Sequence, residues 1–488
     1  MSYDLSTRKY LLLGHLSMAV LFVMAVLFAN ERVLLSDSAY QLFYDINHRG
    51  MLINDSRYSM VLTQLLPWLA IHLHLPLRLV VITYSVSFVL VGYACWLVTA
   101  YGMKQHNAAT LMLFVLLAIG GTFLHCISES FQLMFYVPML YAWMCKSDGV
   151  KPFTYYAVLA LLVALAFFIY PMSVFYILFA VGFRLFEEGN AFQLTLRSKQ
   201  IALNRPALIT LALLAFYIIL YWLIGPSGHD SEFVPTWDSF SQSLLHFTAL
   251  GSFQAFRSLY FQLYLVPTLL LALTLLGYIR SRRWWKALFV GGYALAFLVA
   301  SCIIYQVGDS LISRERYFVP LFFIVGLAFL EDELPRFNSW QQKSFYVALI
   351  VLLTLSFVRI HHYVGLYQPR MEAIAQVTRQ ADAQGQHKLI VTRSNADQLF
   401  PLDIWGLALE SMLYSAQQGP EHTVTIYKEE DDFDRSDTSL YDNPDCYVAV
   451  NWWKQWWVSE LNPRYFTLPA QGYKELLPDT AGYRFAEL

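Results

Sequence analysis

Charged residues are scarce in this chain of 488 residues: Asp, Glu, Lys and Arg together make up 14%, whereas hydrophobic residues make up 57%. Soluble domains are typically about one quarter charged and about half apolar. This composition therefore excludes an ordinary soluble protein and predicts a polytopic helical membrane protein. An excess of charge of either sign is absent too, since the formal net charge is −2. Near-neutrality argues against a nucleic-acid partner.

Cysteine is also rare, and the five cysteines show no paired spacing. We therefore predict small core residues rather than disulfides or a zinc site. A small-residue cleavage site is missing after the first apolar run, which Arg8 and Lys9 precede. These features predict an uncleaved first span with a cytoplasmic N-terminus.

Long apolar runs are what the chain has in abundance, and a span needs about 20 residues. The run 153–186 is too long for one span and holds Pro171, so we divide it into a hairpin. The segment 59–75 is apolar but short and contains proline and histidine, which favours an interfacial helix on the outer face. About 11 spans are predicted on this template: 11–29, 78–100, 108–125, 131–145, 153–169, 172–186, 207–225, 259–279, 287–306, 317–331 and 344–360.

The distribution of Lys and Arg sets the orientation. Basic residues concentrate on one side of the predicted spans, as in the Arg280–Lys286 turn, and this places the C-terminal region outside the cytoplasm. We expect a transmembrane module over residues 1–364, with external loops at 30–77 and 226–258. Residues 365–488 have the composition of a small extracytoplasmic α/β domain. Its predicted strands are HKLIVTRS, HTVTIYKEE and CYVAVNWWKQWW, and its predicted helix is FPLDIWGLALESMLYSAQQG.

The first external loop holds the first candidate for chemistry, Asp37. Ser36 or Asp37 can cap a helix that runs to about Arg49 and stops at Gly50. Carboxylates at a bilayer edge are costly and commonly functional. The alternative is that Asp37 only caps this helix.

Two faces of that helix differ. Leu42, Phe43 and Ile46 form an apolar stripe suited to the membrane edge. Tyr44 and His48 share a polar face with Asp37, at helical spacings of seven and four residues.

A second carboxylate, Glu129, lies at the predicted outer mouth of a span, beside His125 and Ser128. Asp37 and Glu129 could converge on one pocket, with one acting as base and the other orienting a substrate or metal. The alternative is that Glu129 is a helix-start charge.

Arginines supply a third element. Arg314 and Arg316 precede Tyr317 at the outer start of a span, where guanidinium groups can bind the phosphate of a membrane lipid. Arg57 is a similar candidate, and simple anchoring to phospholipid headgroups is the alternative. In the polar loop at 226–258, His229 and Asp230 are candidates for covering a pocket.

Taken in order, these segments resemble the GT-C superfamily of membrane glycosyltransferases, in particular the protein O-mannosyltransferases and the lipid A aminoarabinose transferases. VLLSDSAYQLFYDINHRG followed by MVLTQLLPWLAIHLHLPL is similar to their first external loop and interfacial stretch. SESFQLMFYVPMLYA matches their second acidic position, and Arg316 with Tyr317 matches an external Arg-Tyr pair. The first loop departs from many relatives in having Asp37-Ser38 where they have Asp-Glu.

The resemblance implies transfer of one sugar from a polyprenyl-phosphate carrier to a glycan, lipid or protein acceptor outside the cytoplasm, in a bacterial inner membrane. It implies that Asp37 is the base and that the anomeric carbon inverts. Arg314 and Arg316 would hold the donor phosphate, and Glu129 would orient the acceptor or hold a divalent metal ion. A transporter or flippase of lipid-linked sugars, a glycan polymerase or ligase, and a sensor remain as alternatives.

Overall fold

The computed structural model describes most of the chain as helix. The described residues are 3–53, 56–146, 151–170, 172–187, 205–224, 236–304, 315, 318–402, 405–429, 443–448, 456–479 and 482–486. The α-helices of this part are α1 Tyr3–Leu27, α2 Ala29–Val33, α3 Ser36–His48, α4 Val61–His72, α5 Leu77–Leu97, α6 His106–Val115, α7 Gly121–Leu124, α8 Glu129–Cys145, α9 Pro152–Phe167, α10 Ser173–Glu187, α11 Arg205–Ile224, α12 Trp237–Leu245, α13 Gly251–Leu259, α14 Leu265–Arg280, α15 Trp284–Ile304, α16 Val319–Ala328, α17 Ser339–Ala383, α18 Arg393–Leu399 and α19 Leu407–Ser415.

Several helices are long and apolar enough to cross a membrane. Six meet that standard among the described residues: Arg8–Leu27, Leu77–Gly102, Arg205–Ile224, Gly251–Arg280, Trp284–Ile304 and Ser339–Ala383. Much of their apolar surface faces outward, as in Arg205–Ile224, where only 17% of the apolar window is buried. An exposed apolar surface of this extent requires lipid around it. The protein is an integral membrane protein.

Two shorter segments test the sequence predictions locally. The run 153–186 forms two helices, α9 and α10, so the predicted division is confirmed. The predicted span at 108–125 is wrong as a single helix. It breaks at Ile119, whose backbone is extended, and resumes as α7. Polar groups described below satisfy the backbone at that break.

Helix α8 lies at the centre of the helical part, since every residue from Glu129 to Met144 is buried. It contacts α5, α6, α9 and α10. Glu129 is therefore the first residue of the most enclosed helix, and its position is fixed by packing on all sides.

Helix α17 has 45 residues and begins at a capping box formed by Asn338 and Gln341. At 1.5 Å per residue it is about 67 Å long, roughly twice the thickness of the hydrocarbon core. It therefore extends beyond the membrane, and it runs without interruption through position 364, where the sequence places a domain boundary. It ends at Ala383, shortly before the first strand.

The region after α17 contains a small sheet. Its strands are β1 Lys388–Val391, β2 Thr425–Lys428, β5 Lys474–Asp479 and β6 Gly482–Ala486, in the order β2-β1-β5-β6. The central strand β1 is parallel to β2 and β5, and β6 is antiparallel to β5. The predicted mainly helical protein with a small mixed α/β region is confirmed.

Sequence reasoning missed the β5–β6 hairpin and read CYVAVNWWKQWW as one strand. Its described ends instead form β3 Cys446–Tyr447 and β4 Trp456–Trp457, which pair antiparallel. Helix α19 packs on β2 and also contacts α3 and α17. The C-terminal region thus lies directly against the helix that carries Asp37.

Candidate active site

Helix α3 covers the predicted range, but the residues that cap it differ from the predicted ones. Leu35, with an extended backbone, is the N-cap residue and makes no side-chain cap, so the prediction that Ser36 or Asp37 caps the helix is wrong. Ser36 follows with φ 28°, and Arg49 ends the helix in the left-handed conformation with φ 51°. Arg49 therefore makes the stop that the sequence assigns to Gly50.

The apolar stripe of α3 faces the protein and not the membrane edge. Leu42, Phe43 and Ile46 are each fully buried. The Phe43 ring lies 5.3 Å from that of Phe466 and 5.8 Å from that of Trp456, both in the C-terminal region. An amphipathic stripe shows which face is covered but not what covers it.

The polar face presents Asp37 to a neighbouring turn. Asp37 Oδ2 lies 3.4 Å from His125 Nε2, and the Asp37 side chain is 50% exposed whereas that of His125 is 7% exposed. Further along the helix, the rings of Tyr44 and His48 are in contact, with centroids 4.2 Å apart and planes tilted by 36°. Asp37 is thus an accessible carboxylate with an imidazole beside it.

Glu129 makes an ion pair with Arg57. Arg57 Nη1 donates to Glu129 Oε1, and both side chains are largely buried. The Arg57 guanidinium also lies 5.5 Å from the centre of the Tyr170 ring. The segment around Arg57 docks on the end of α9, since Ser59 N–H donates to the Phe168 carbonyl at 3.4 Å.

One turn brings the two carboxylates to the same neighbourhood. His125 follows α7, and the Ser128 N–H donates to the His125 carbonyl at 2.9 Å just before Glu129 begins α8. Asp37 contacts the start of this turn through His125, and Arg57 contacts its end through Glu129. The two carboxylates are therefore associated with the two ends of one short turn.

Two charged residues that sequence reasoning did not select, the buried Glu315 and the partly buried Arg359, fix the broken helix before this turn. Glu315 Oε2 accepts from the backbone N–H of Gly120 at 2.8 Å and of Thr122 at 3.0 Å. Arg359 Nη2 donates to the carbonyls of Leu117 and Ile119 at 2.6 and 2.7 Å. The two side chains satisfy donors and acceptors that a helix break exposes, which a membrane protein must do internally.

A third charged residue, the buried Arg32, joins the end of the first span to the same region. Its Nε donates to the Phe123 carbonyl at 2.9 Å, and its Nη1 donates to the Ser85 carbonyl at 2.8 Å. Its guanidinium also lies 4.0 Å from the Phe123 ring centre. The position of Arg32 directly after an apolar run was the available signal for such a role.

Asp45 lies on the buried side of α3 and anchors the loop that follows the helix. Its Oδ1 accepts from the Leu52 N–H at 2.8 Å, and the residue is 1% exposed. Burial raises the pKa of the Asp45 carboxyl well above its ordinary value, although the Leu52 hydrogen bond opposes this shift. Asp45 is therefore structural in geometry and separate from the exposed Asp37.

Five predicted site residues lie outside the described part of the chain: His229, Asp230, Arg314, Arg316 and Tyr317. Of the others, the structure brings Asp37, Glu129 and Arg57 to the 125–129 turn, with Tyr44 and His48 on the same helix as Asp37.

The described residues do not fit a divalent metal ion. No group of three His, Cys, Asp or Glu side chains suited to hold a metal occurs among them. Glu129 also faces a guanidinium, which occupies the place a cation would take.

Comparisons with known proteins give one structural likeness. No family model and no curated protein matches the chain. The structure is similar to that of ArnT from Cupriavidus metallidurans bound to undecaprenyl phosphate, with 14% sequence identity, 90% of this chain and 96% of that chain covered, and a TM-score of 0.41.

Proposed function

We propose that this protein is a GT-C-type glycosyltransferase that moves a single sugar from a polyprenyl-phosphate carrier to an extracytoplasmic acceptor. The observation that carries the proposal is that Asp37 contacts His125 at one end of the 125–129 turn while Arg57 pairs with Glu129 at its other end. The fold supports it as well, since these residues lie at helix ends of an integral membrane protein.

The exposure of the two carboxylates suggests how their roles divide. Asp37 is half exposed and can reach an acceptor hydroxyl, so it is the base. Glu129 is enclosed and paired with Arg57, which fixes its position as an acceptor of hydrogen bonds for orienting a substrate.

In the proposed reaction, Asp37 takes the proton of the acceptor hydroxyl as its oxygen bonds to the anomeric carbon. The bond from that carbon to the phosphate oxygen breaks, and the configuration inverts through an oxocarbenium-like state. Arg314 and Arg316 stabilise the departing polyprenyl phosphate, with Arg57 as a further candidate, because charge develops there in a poorly hydrated site. Tyr44, His48 and Tyr317 line the substrates, and His229 and Asp230 belong to the loop proposed to cover them.

A transporter of lipid-linked sugars is the main rival, because broken helices with buried charges are typical of transporters. Those features lie near the bilayer midplane in transporters. Here Arg359, which holds the break, lies at the end of the apolar run of α17 and is followed by His361 and His362. An ionisable residue at the end of an apolar run favours a site at the membrane surface.

Mass spectrometry of surface glycans, glycolipids and glycoproteins, in cells with and without the protein, tests the proposal. We expect one acceptor to lose the mass of a single sugar in cells without the protein, and its sugar-loaded carrier lipid to accumulate. A loss of several sugar units would indicate a polymerase or ligase instead. Unchanged glycans together with a changed distribution of carrier lipid across the membrane would indicate a flippase.

A further inference from the structure

The C-terminal region holds the N-terminal end of α3, the end that carries Asp37. The Ser36 N–H donates to Glu410 Oε1 at 3.2 Å, and Glu410 lies on α19. Gly406 approaches so closely that an added Cβ would lie 2.9 Å from the Ser36 Cα. Ser36 has φ 28°, a backbone conformation that side-chain-bearing residues rarely adopt unless their surroundings impose it.

Glu410 is itself fixed by a buried ion pair. Arg370 Nε donates to Glu410 Oε2 at 2.9 Å, and Arg370 Nη2 lies 2.7 Å from the same oxygen. The side chains are 2% and 0% exposed. Arg370 Nη1 also donates to the Leu402 carbonyl at 2.8 Å, so α17, the segment before α19 and α3 share one network.

The same region holds the other end of α3. Asn462 Nδ2 donates to the Ile46 carbonyl at 3.0 Å, and the Asn462 N–H donates to Asn47 Oδ1 at 2.8 Å. Between the two ends, Phe43 packs against Phe466. The C-terminal region therefore contacts α3 along its whole length.

We propose that Glu410 and Asn462 are positioning residues that set the place of Asp37, so that the C-terminal region is a working part of the active site. A buried ion pair is weak evidence for stability, because an apolar pair of similar size often serves as well. Here the ion pair does something that an apolar pair could not do. It fixes the carboxylate that accepts the hydrogen bond from the Ser36 N–H. The catalytic meaning of that position rests on the proposed function of Asp37.

The test uses the full-length protein with two readouts. Single substitution of Glu410 leaves a buried arginine without its partner, and such a variant can fail to fold. The principal variant is therefore Glu410→Leu with Arg370→Met, which removes both charges. Asp382→Asn is the matched control, because Asp382 joins α17 to His422 of the C-terminal region, at 2.8 Å, away from α3. The position of residue 37 is read separately, from the rate at which the thiol introduced by Asp37→Cys reacts with maleimide.

In the double variant we expect sugar transfer to fall about tenfold or more, because small displacements of a reacting group are costly. Affinity for undecaprenyl phosphate, used as the probe of donor binding, should stay unchanged, and the thiol introduced at position 37 should react faster. Adding Ser36→Gly should restore part of the transfer, since glycine adopts φ 28° without strain. A general loss of structure would lower probe binding as well and would not respond to Ser36→Gly.

Unchanged transfer in the double variant, together with an unchanged maleimide rate at position 37, would overturn the proposal, as would equal losses in Asp382→Asn. A different result would separate the two ideas. If Asp37→Asn keeps normal transfer, but the thiol of Asp37→Cys still reacts faster when Glu410 and Arg370 are replaced, then the positioning proposal stands and the proposed function fails. The two ideas are therefore separable.

Discussion

Two carboxylates near opposite ends of helix α16, Asp332 and Asp37, are held in opposite ways. Beyond its C-terminal end, Asp332 accepts from the Tyr278 hydroxyl at 2.6 Å and from Arg283 Nη1 at 3.0 Å, and Lys286 Nζ lies 2.5 Å away. We name these four residues the Asp332 cluster. Toward the other end, the buried Glu315 supports the backbone just before His125, and the Asp37 side chain beside His125 is half exposed.

The difference in exposure indicates a structural role for Asp332 and a chemical role for Asp37. The Asp332 carboxylate is 10% exposed and its oxygens face three donors, so it has little capacity left for a substrate. The Asp37 side chain is half exposed and lies 3.4 Å from the His125 imidazole. Buried, saturated charges hold elements together, whereas an accessible carboxylate at a fixed helix terminus can accept a proton.

The largest expected effect is on transfer by Asp37→Asn. An amide cannot accept the proton, so we expect transfer to fall by about a factor of 10² to 10⁴, the usual contribution of general base catalysis. The unfolding temperature should match that of the unaltered protein, because the side chain is half exposed. Transfer near the normal rate would remove Asp37 from the base role.

Asp332→Ala should show the reverse pattern. It leaves Lys286, which is 5% exposed, without its carboxylate, and breaking such a buried pair costs about 3–5 kcal/mol. Transfer per folded molecule should be unchanged. Measurement of unfolding temperature and of transfer normalised to folded protein checks both parts, and a selective loss of transfer would erase the contrast between the two ends.

Gly120→Ala should have a smaller effect at the Asp37 end. The new Cβ would lie 2.7 Å from Glu315 Oε1 and 2.9 Å from Arg359 Nε, so the turn before His125 must shift. Such overpacking costs about 1–3 kcal/mol, and transfer should fall with it. Gly365→Ala is the matched control, since nothing lies within 4 Å of a Cβ there, and equal behaviour of the two variants would argue against strain at the turn.

Asp45→Asn should have the smallest effect, and its sign depends on pH. Burial raises the pKa of Asp45 above its ordinary value, so the folded protein binds the proton more tightly than the unfolded chain. Its stability therefore falls as the pH rises from the unfolded pKa toward the folded pKa. Asparagine removes this loss and can keep the Leu52 hydrogen bond. Unfolding temperatures across that pH range should favour the variant increasingly, and a parallel course for the two proteins would contradict this.

Sequence patterns predicted the class of fold because apolar length and residue spacing are local properties. The division of the run 153–186 into α9 and α10 and the extent of α3 follow from such signals. The burial of Phe43, the break at Ile119 and the contact of Glu410 with Ser36 could not be predicted, because each depends on a segment hundreds of residues away or on packing around α8. Asp37 and Glu129 were selected by chemistry, whereas His125, their link, was noted only as a neighbour.

Sided labelling of the two ends tests the account most directly. Asp37→Cys and Arg283→Cys are treated with a membrane-impermeant maleimide in intact cells, with the unaltered protein as control for its own cysteines. We predict that the Asp37→Cys variant is labelled in intact cells and that the Arg283→Cys variant is labelled only after permeabilisation. Labelling of the Asp37→Cys variant only after permeabilisation would place the candidate base in the cytoplasm and contradict an extracytoplasmic transferase.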